Sequence, residues 1–109
     1  MSKKPADPEA VKILRELAAH PGNVTTTSTA KYDMMGLNLS TADICDTLLE
    51  WIDELKEVKQ TVMRGKDAGR PAYEIKPTLR GALLYCKFIV RDIDDQNKKL
   101  CIISAHVDH

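Results

Sequence analysis

The chain has 109 residues, 43% of them hydrophobic, and its 16 lysines and arginines balance its 16 aspartates and glutamates. This length and composition suit one globular domain with its own core, and they exclude a largely disordered chain. The zero net charge argues against a strong, non-specific nucleic-acid binder. We expect residues 1–6 to form a flexible tail and residues 7–109 to form a single α+β domain.

The apolar runs and the cysteines bear on the cellular compartment. The longest strictly apolar runs are only a few residues, so we expect no membrane span, and no apolar stretch follows the charged N-terminus as in a secretion signal. The three cysteines are odd in number and lack a Cys-x-x-Cys pair, which favours reduced core thiols and argues against structural zinc. These patterns predict a cytoplasmic protein without a cofactor.

The first two predicted helices lie before residue 37. Asp7-Pro8-Glu9 combines an N-cap residue, a proline and a first-turn acid, and apolar residues then recur at helical spacing to about residue 20. The β-branched run over residues 24–29 can be a strand, but Thr27 or Ser28 can also cap a short helix over residues 30–35. We favour the cap because the apolar residues of this segment have helical spacing.

A third helix follows the first two. Ser40 or Thr41 is its N-cap candidate, with Asp43 placed for a capping box. The apolar stripe of this helix is formed by Ile44, Leu48 and Ile52, widened by Cys45 and Leu49.

The apolar spacing changes to two residues from about residue 57, which is typical of strands. We predict four strands, near residues 58–63, 73–76, 82–91 and 100–107, with a polar hairpin loop over residues 92–99. Because the helices precede the strands, we predict an α+β fold in which three N-terminal helices are followed by a curved antiparallel sheet of about four strands.

The last two predicted strands each have an apolar face and a mixed face. The apolar faces are formed by Leu84, Cys86, Phe88 and Val90 in one strand and by Cys101, Ile103, Ala105 and Val107 in the other. Tyr85 and Lys87 share the mixed face of the first strand, about 7 Å apart. His106 shares the mixed face of the second strand with Ser104, and it meets Tyr85 if the register allows.

Metal-free RNA cleavage needs a base for the ribose 2′-hydroxyl, a cation for the charged transition state and an acid for the departing 5′-oxygen. His106 can act as base or acid near neutral pH, and Tyr85 can donate a proton or a hydrogen bond. The candidate phosphate-binding cations are Lys59, Lys76, Arg80 and Lys87. We expect no metal site, because His106 and His109 would lie on opposite faces of a strand.

The charges are polarised along the chain. Residues 40–55 contain five acids and no base, whereas residues 56–87 contain eight bases and three acids. A basic region beside an acidic helix can meet an anion on one side, and the alternative is that both are solvated faces.

Three stretches of the sequence carry a family resemblance. The first comprises Val11-Lys12-Ile13-Leu14, Gly22-Asn23-Val24-Thr25-Thr26-Thr27, Gly36-Leu37-Asn38-Leu39 and Asp43-Ile44-Cys45-Asp46. The second is Val58-Lys59-Gln60-Thr61-Val62-Met63, and the third is Gly81-Ala82-Leu83-Leu84-Tyr85-Cys86-Lys87 followed by Ile102-Ile103-Ser104-Ala105-His106. Together they resemble the MqsR family of bacterial toxin–antitoxin toxins, whose fold is similar to that of RelE-type ribonucleases.

This resemblance implies an mRNA endoribonuclease, an mRNA interferase, that acts as a toxin on mRNA, free or on the ribosome, and is restrained by a cognate antitoxin protein. Lys59 and Tyr85 match catalytic residues of the family, and His106 falls where the family has a lysine. The family's middle-strand glutamine has no clear counterpart in this chain, since Ala72 or Tyr73 falls near its position. The alternatives are a non-catalytic RNA- or protein-binding module on the same scaffold and a structural homodimer that pairs through exposed strand edges.

Overall fold

The secondary structure was established from a computed structural model, which describes residues 3–92 and 97–108. Residues 93–96 of the predicted hairpin loop, and His109, lie outside the described residues. The helices are α1 (Pro8–Ala18), α2 (Ser28–Gly36) and α3 (Thr41–Asp53). The strands are β1 (Lys4–Pro5), β2 (Thr25–Thr26), β3 (Lys59–Val62), β4 (Pro71–Ile75), β5 (Thr78–Leu79), β6 (Ala82–Asp92) and β7 (Lys98–Val107).

The chain is α+β, but the predicted arrangement of three N-terminal helices before about four antiparallel strands is wrong. Within the described residues the sheet has seven strands, in the order β1-β3-β4-β6-β7-β2, with β5 paired to β6. The sheet is mixed, because β2 runs parallel to β7. Strand β1 precedes α1, and β2 separates α1 from α2. The three additional strands have two residues each, which is too short for a period-two pattern to reveal them.

The helix starts follow the local sequence closely. The hydroxyl of Thr27 accepts a hydrogen bond from the Ala30 amide at 3.1 Å, and Ser40 and Asp43 form a reciprocal capping box. The side chain of Asp7 makes no such bond at the start of α1. The β-branched run before α2 forms both a strand and a helix cap, because β2 ends directly before the Thr27 cap. In the described part of the chain, no helix is long and apolar enough to cross a membrane.

The main core lies between the helices and one face of the sheet. Leu14 of α1, Ile44 of α3 and Phe88 of β6 are fully buried members of one hydrophobic cluster. This cluster also includes the rest of the predicted apolar face of β6, namely Leu84, Cys86 and the partly buried Val90. Each fully buried aliphatic or phenyl side chain contributes roughly 1.5–3 kcal/mol to folding, so this face holds the sheet against the helices.

A bulge in β7 changes which side chains share its faces. Lys87 pairs with Ser104, but the next residue of β6, Phe88, pairs with Ile102, so Ile103 is an additional residue in β7. Cys101 therefore packs with Ile89 on the face opposite the helices. The prediction that Cys101 and Ile103 share a face of the last strand with Ala105 and Val107 is wrong. The additional residue shifts the alternation, so the side chains before it point to the other face.

Burial makes two of the cysteine thiols unreactive. It raises the pKa of Cys45 to about 11 and that of Cys86 to about 12, and only the thiolate is a strong nucleophile. With iodoacetamide at neutral pH, we expect Cys45 and Cys86 to stay unmodified in the native protein and to react in denaturant. Peptide mass mapping after a short exposure measures this, and rapid modification of either residue in the native state would contradict the core described above.

Candidate functional site

The face of the sheet opposite the helices, called here the open face, has few buried apolar side chains. Its small cluster consists of Ala72, Ile89 and Cys101 with the partly buried Met63 and Ile103, and it includes no helical residue among those described. One end of this face carries polar and charged side chains instead of apolar ones. This polar end contains most of the site residues predicted from the sequence.

A row of side chains crosses four strands at the polar end. Lys59 of β3 pairs with Glu74 of β4, Glu74 pairs with Lys87 of β6, and Lys87 pairs with Ser104 of β7. Side chains of directly opposed residues project from the same face of a sheet. Lys87 and Ser104 therefore share the open face, and Glu74 is added at the centre of the row.

Tyr85 and His106 lie directly beside this row. They are paired across β6 and β7, with ring centroids 5.4 Å apart and ring planes tilted by 34°. The Nδ1 atom of His106 is 2.9 Å from the Val107 carbonyl oxygen. Because a carbonyl oxygen only accepts, Nδ1 carries the hydrogen in this contact, and in a neutral ring Nε2 is the nitrogen that accepts a proton.

Glu74 is the residue to which most of the site is connected. Its side chain is only 4% exposed, and Lys3 Nζ lies 2.5 Å from its Oε1 atom. The Tyr85 hydroxyl donates to Oε2 at 2.5 Å, and Lys87 Nζ lies 3.8 Å from the same oxygen. The ammonium groups of Lys3 and Lys87 also lie 5.7 and 5.9 Å from the centroid of the Tyr85 ring. One buried carboxylate thus holds three donors, one from the segment before β1 and two from β6.

These contacts determine the protonation states of Glu74 and Tyr85. Burial by itself raises the pKa of the Glu74 carboxyl, but the hydrogen bonds from Lys3 and Tyr85 and the charges of Lys3 and Lys87 hold this pKa below its ordinary value. Burial, and then the hydrogen bond and negative charge of Glu74, raise the pKa of Tyr85. At neutral pH Glu74 is therefore a carboxylate and Tyr85 a phenol, so Tyr85 can donate a proton but does not act as a base.

The other predicted site residues lie farther from Glu74 and Tyr85. Lys59 belongs to the row but lies two strands from Lys87, roughly 10 Å away, and its ammonium pairs with Glu57 at 3.0 Å. Lys76 follows β4 and lies 3.4 Å from a carboxylate oxygen of Asp108.

Arg80 lies apart from Glu74, Tyr85 and Lys87. It lies in the turn between β5 and β6 with a φ of 54°. Its guanidinium donates to the Asn38 carbonyl at 2.8 Å and lies 3.5 Å from Asp43 Oδ2. These contacts connect the turn to the start of α3.

Two members of the site, Lys3 and Glu74, were not among the predicted residues. For Glu74 there was a signal: it is a single acid between Tyr73 and Ile75 in a predicted strand, and both neighbours are buried in the main core, so alternation places Glu74 on the open face. For Lys3 there was none, because it lies in the segment predicted to be a flexible tail. Strand β1 pairs with β3 and brings Lys3 to Glu74.

No protein-family model, curated protein or solved structure matches the chain.

The lowered pKa of Glu74 predicts acid destabilisation. Because the carboxyl binds a proton less readily in the folded than in the unfolded chain, its stabilising contribution is complete above the ordinary glutamate pKa and is lost as the pH falls through the lower folded value. Glu74→Gln should remove this pH-dependent contribution of the carboxylate from the free energy of unfolding. Urea titration between about pH 3 and 7 measures it.

Tyr85→Phe is the matched comparison, because it removes one of the hydrogen bonds that lower the Glu74 pKa and leaves the carboxylate in place. We expect its dependence on pH to lie between those of the wild type and Glu74→Gln. Parallel curves for the wild type and Glu74→Gln would show that Glu74 does not have the environment described.

Proposed function

We propose that the chain is a metal-independent endoribonuclease that cleaves mRNA in the cytoplasm and is the toxin of a toxin–antitoxin pair of the MqsR type. The observation that best supports this proposal is the direct pairing of Tyr85 with His106 beside Lys87 on the open face. This arrangement combines a proton acceptor, a proton donor and a cation, which are the groups that metal-free cleavage of RNA needs. The resemblance of the three sequence stretches adds the toxin role and the antitoxin partner.

The proposed reaction is attack of a ribose 2′-oxygen on the adjacent phosphorus. His106 Nε2 takes the proton of the 2′-hydroxyl as the bond from the 2′-oxygen to phosphorus forms. The bond from phosphorus to the 5′-oxygen breaks, and the Tyr85 phenol gives its proton to that oxygen. The products are a 2′,3′-cyclic phosphate and a 5′-hydroxyl. Even with its raised pKa the phenol is a stronger acid than the ribose alcohol that leaves. For this transfer the hydroxyl hydrogen turns from Glu74 to the 5′-oxygen.

Lys87 has the electrostatic role. Its side chain is 23% exposed and its ammonium lies 3.8 Å from Glu74, so a phosphate on the open face can contact it without displacing a closely bound partner. A fixed positive charge at this position stabilises the additional negative charge of the transition state. Lys59 and Lys76 lie farther out and hold neighbouring phosphates of the RNA backbone.

Glu74 acts as a positioning residue. It is too buried to receive a proton directly from a bound RNA, but it orients the Tyr85 hydroxyl and the Lys87 ammonium. Glu74, and not Ala72 or Tyr73, is the middle-strand residue beside the catalytic tyrosine.

The negative charge of Glu74 also favours the second candidate, a non-catalytic RNA- or protein-binding module. A carboxylate beside the phosphate position repels the substrate, and the hydroxyl of Tyr85 is already engaged. The homodimer has less support, because β1 and β2, which end the sheet, have two residues each and offer few backbone groups for pairing.

His106→Ala should lower the rate of RNA cleavage by about 10²–10⁴-fold, which is the usual contribution of a general acid or base. The assay follows an end-labelled single-stranded RNA on a denaturing gel in the presence of EDTA. The matched control is His20→Ala, which removes an exposed histidine outside the site and should keep the wild-type rate.

Cleavage that is abolished by EDTA, or that His106→Ala leaves unchanged, would contradict the proposed mechanism. Binding of the intact RNA by the wild type, without any product, would establish the non-catalytic alternative. In cells, induced expression of the wild type should arrest growth, whereas the double variant Tyr85→Ala, His106→Ala should not.

A further inference from the structure

A pocket of about 490 Å³ opens beside Glu74, where β4 ends and α3 and the following loop meet the sheet. Its lining includes four lysines, one aromatic residue and the central carboxylate, namely Lys3, Lys56, Lys59, Lys76, Trp51 and Glu74. A volume of this size is in the range of small-molecule sites. The RNA-cleaving function proposed above does not use Trp51 or Lys56.

Trp51 provides an aromatic surface held in a fixed orientation. It lies in the last turn of α3, and its indole Nε1 donates to the Glu57 carbonyl at 3.0 Å. Part of the ring packs against the main core, while the residue remains partly exposed. The Lys56 ammonium lies 5.0 Å from the centroid of the ring. A planar group that stacks on this indole would therefore have a cation beside it.

The charge of the pocket suits an anion. Four lysines and two glutamates line it. All four lysines have an acidic partner, namely Glu74 for Lys3 and Asp108 for Lys76. The other two partners are exposed, since Lys56 pairs with Glu54 at 3.1 Å and Lys59 pairs with Glu57 at 3.0 Å. Both partners of these two pairs are about half exposed, and such surface pairs contribute little free energy. A phosphate can therefore replace these carboxylates without a large cost.

The pocket shares two residues with the cleavage site. Glu74 and Lys3 line it, and the same two residues contact Tyr85. We propose that this pocket holds one unstacked nucleotide of a single-stranded RNA next to the cleaved phosphate, with its base on Trp51 and its phosphate among Lys56, Lys59 and Lys76. This inference rests on the proposed function and adds to it a nucleotide subsite and a requirement for single-stranded RNA, because a base within a duplex cannot leave its stack without a cost.

Trp51 is the only tryptophan of the chain, so its fluorescence reports on this pocket alone. The probe is a mixed-sequence RNA hexamer with 2′-O-methyl groups, which has no free 2′-hydroxyl and is not cleaved. We expect a saturable change in the emission of the wild type with the single strand, and a much weaker one with the self-complementary duplex of the same length. The inference would be overturned if the emission changed equally with both forms of the RNA. It would also be overturned if the labelled hexamer bound without any change in the emission of Trp51.

Variants separate stacking from charge. Trp51→Leu should weaken binding of the labelled hexamer by roughly 5- to 100-fold, as expected for the loss of one base–aromatic stack, and Trp51→Phe should retain most of the affinity. Lys56→Ala should weaken binding at low salt, whereas the matched control Lys31→Ala, an exposed lysine on α2, should not. Binding is measured by fluorescence anisotropy after thermal unfolding has shown that each variant is folded. If Trp51→Leu is unfolded, binding of the hexamer is compared between the wild type, Trp51→Phe and Lys56→Ala.

The outcomes distinguish this inference from the proposed function. If the wild type cleaves RNA in a His106-dependent way but the variants Trp51→Leu and Lys56→Ala bind the hexamer as tightly as the wild type, the subsite is wrong and the cleavage site stands. If the wild type neither binds nor cleaves single-stranded RNA, both are wrong. Weaker binding in both variants, with Lys31→Ala unchanged, supports the subsite even if the chain proves to bind RNA without cleaving it.

Discussion

The buried carboxylate of Glu74 is the constraint on which the site depends. An ionised carboxylate is costly to remove from water unless charged and hydrogen-bonding partners surround it, and here Lys3, Tyr85 and Lys87 fulfil that condition. Since these partners come from the N-terminal segment and from β6, the carboxylate connects the edge of the sheet to its centre. The same contacts keep Tyr85 protonated. The stability of this part of the sheet and the chemistry proposed for it thus have one origin.

The two faces of the sheet have different roles, since one forms the core and the other carries the site. The face toward the helices is packed with aliphatic side chains and Phe88, and it supplies the rigidity that keeps β4, β6 and β7 in register. The open face has a small apolar cluster at one end and the charged group at the other. Sites built on the strands of a packed sheet hold their side chains more precisely than sites on loops. Tyr85, Lys87 and His106 all project from long strands, which suits a reaction that depends on their mutual placement.

Local sequence predicted the parts of the fold that depend on neighbouring residues. The caps at Thr27 and Ser40 are short-range hydrogen bonds, and alternation in β6 placed Tyr85 and Lys87 on one face. What it did not reveal depends on distant residues. The bulge at Ile103 is set by how β7 meets β6, and β1 is a strand only because β3 lies beside it. Glu74 was recognisable as an acid on the open face, but its partners follow from the strand order, so its central role could not be read from the sequence.

The chemical nature of the RNA ends tests the central claim most directly. If His106 and Tyr85 catalyse attack by the ribose 2′-oxygen, mass spectrometry of the products should show a 2′,3′-cyclic phosphate on one fragment and a 5′-hydroxyl on the other. A single 2′-deoxy substitution at the cleaved position should also prevent cleavage there. Products with a 3′-hydroxyl and a 5′-phosphate, or undiminished cleavage at the 2′-deoxy position, would contradict the account, because water and not the ribose would then be the nucleophile.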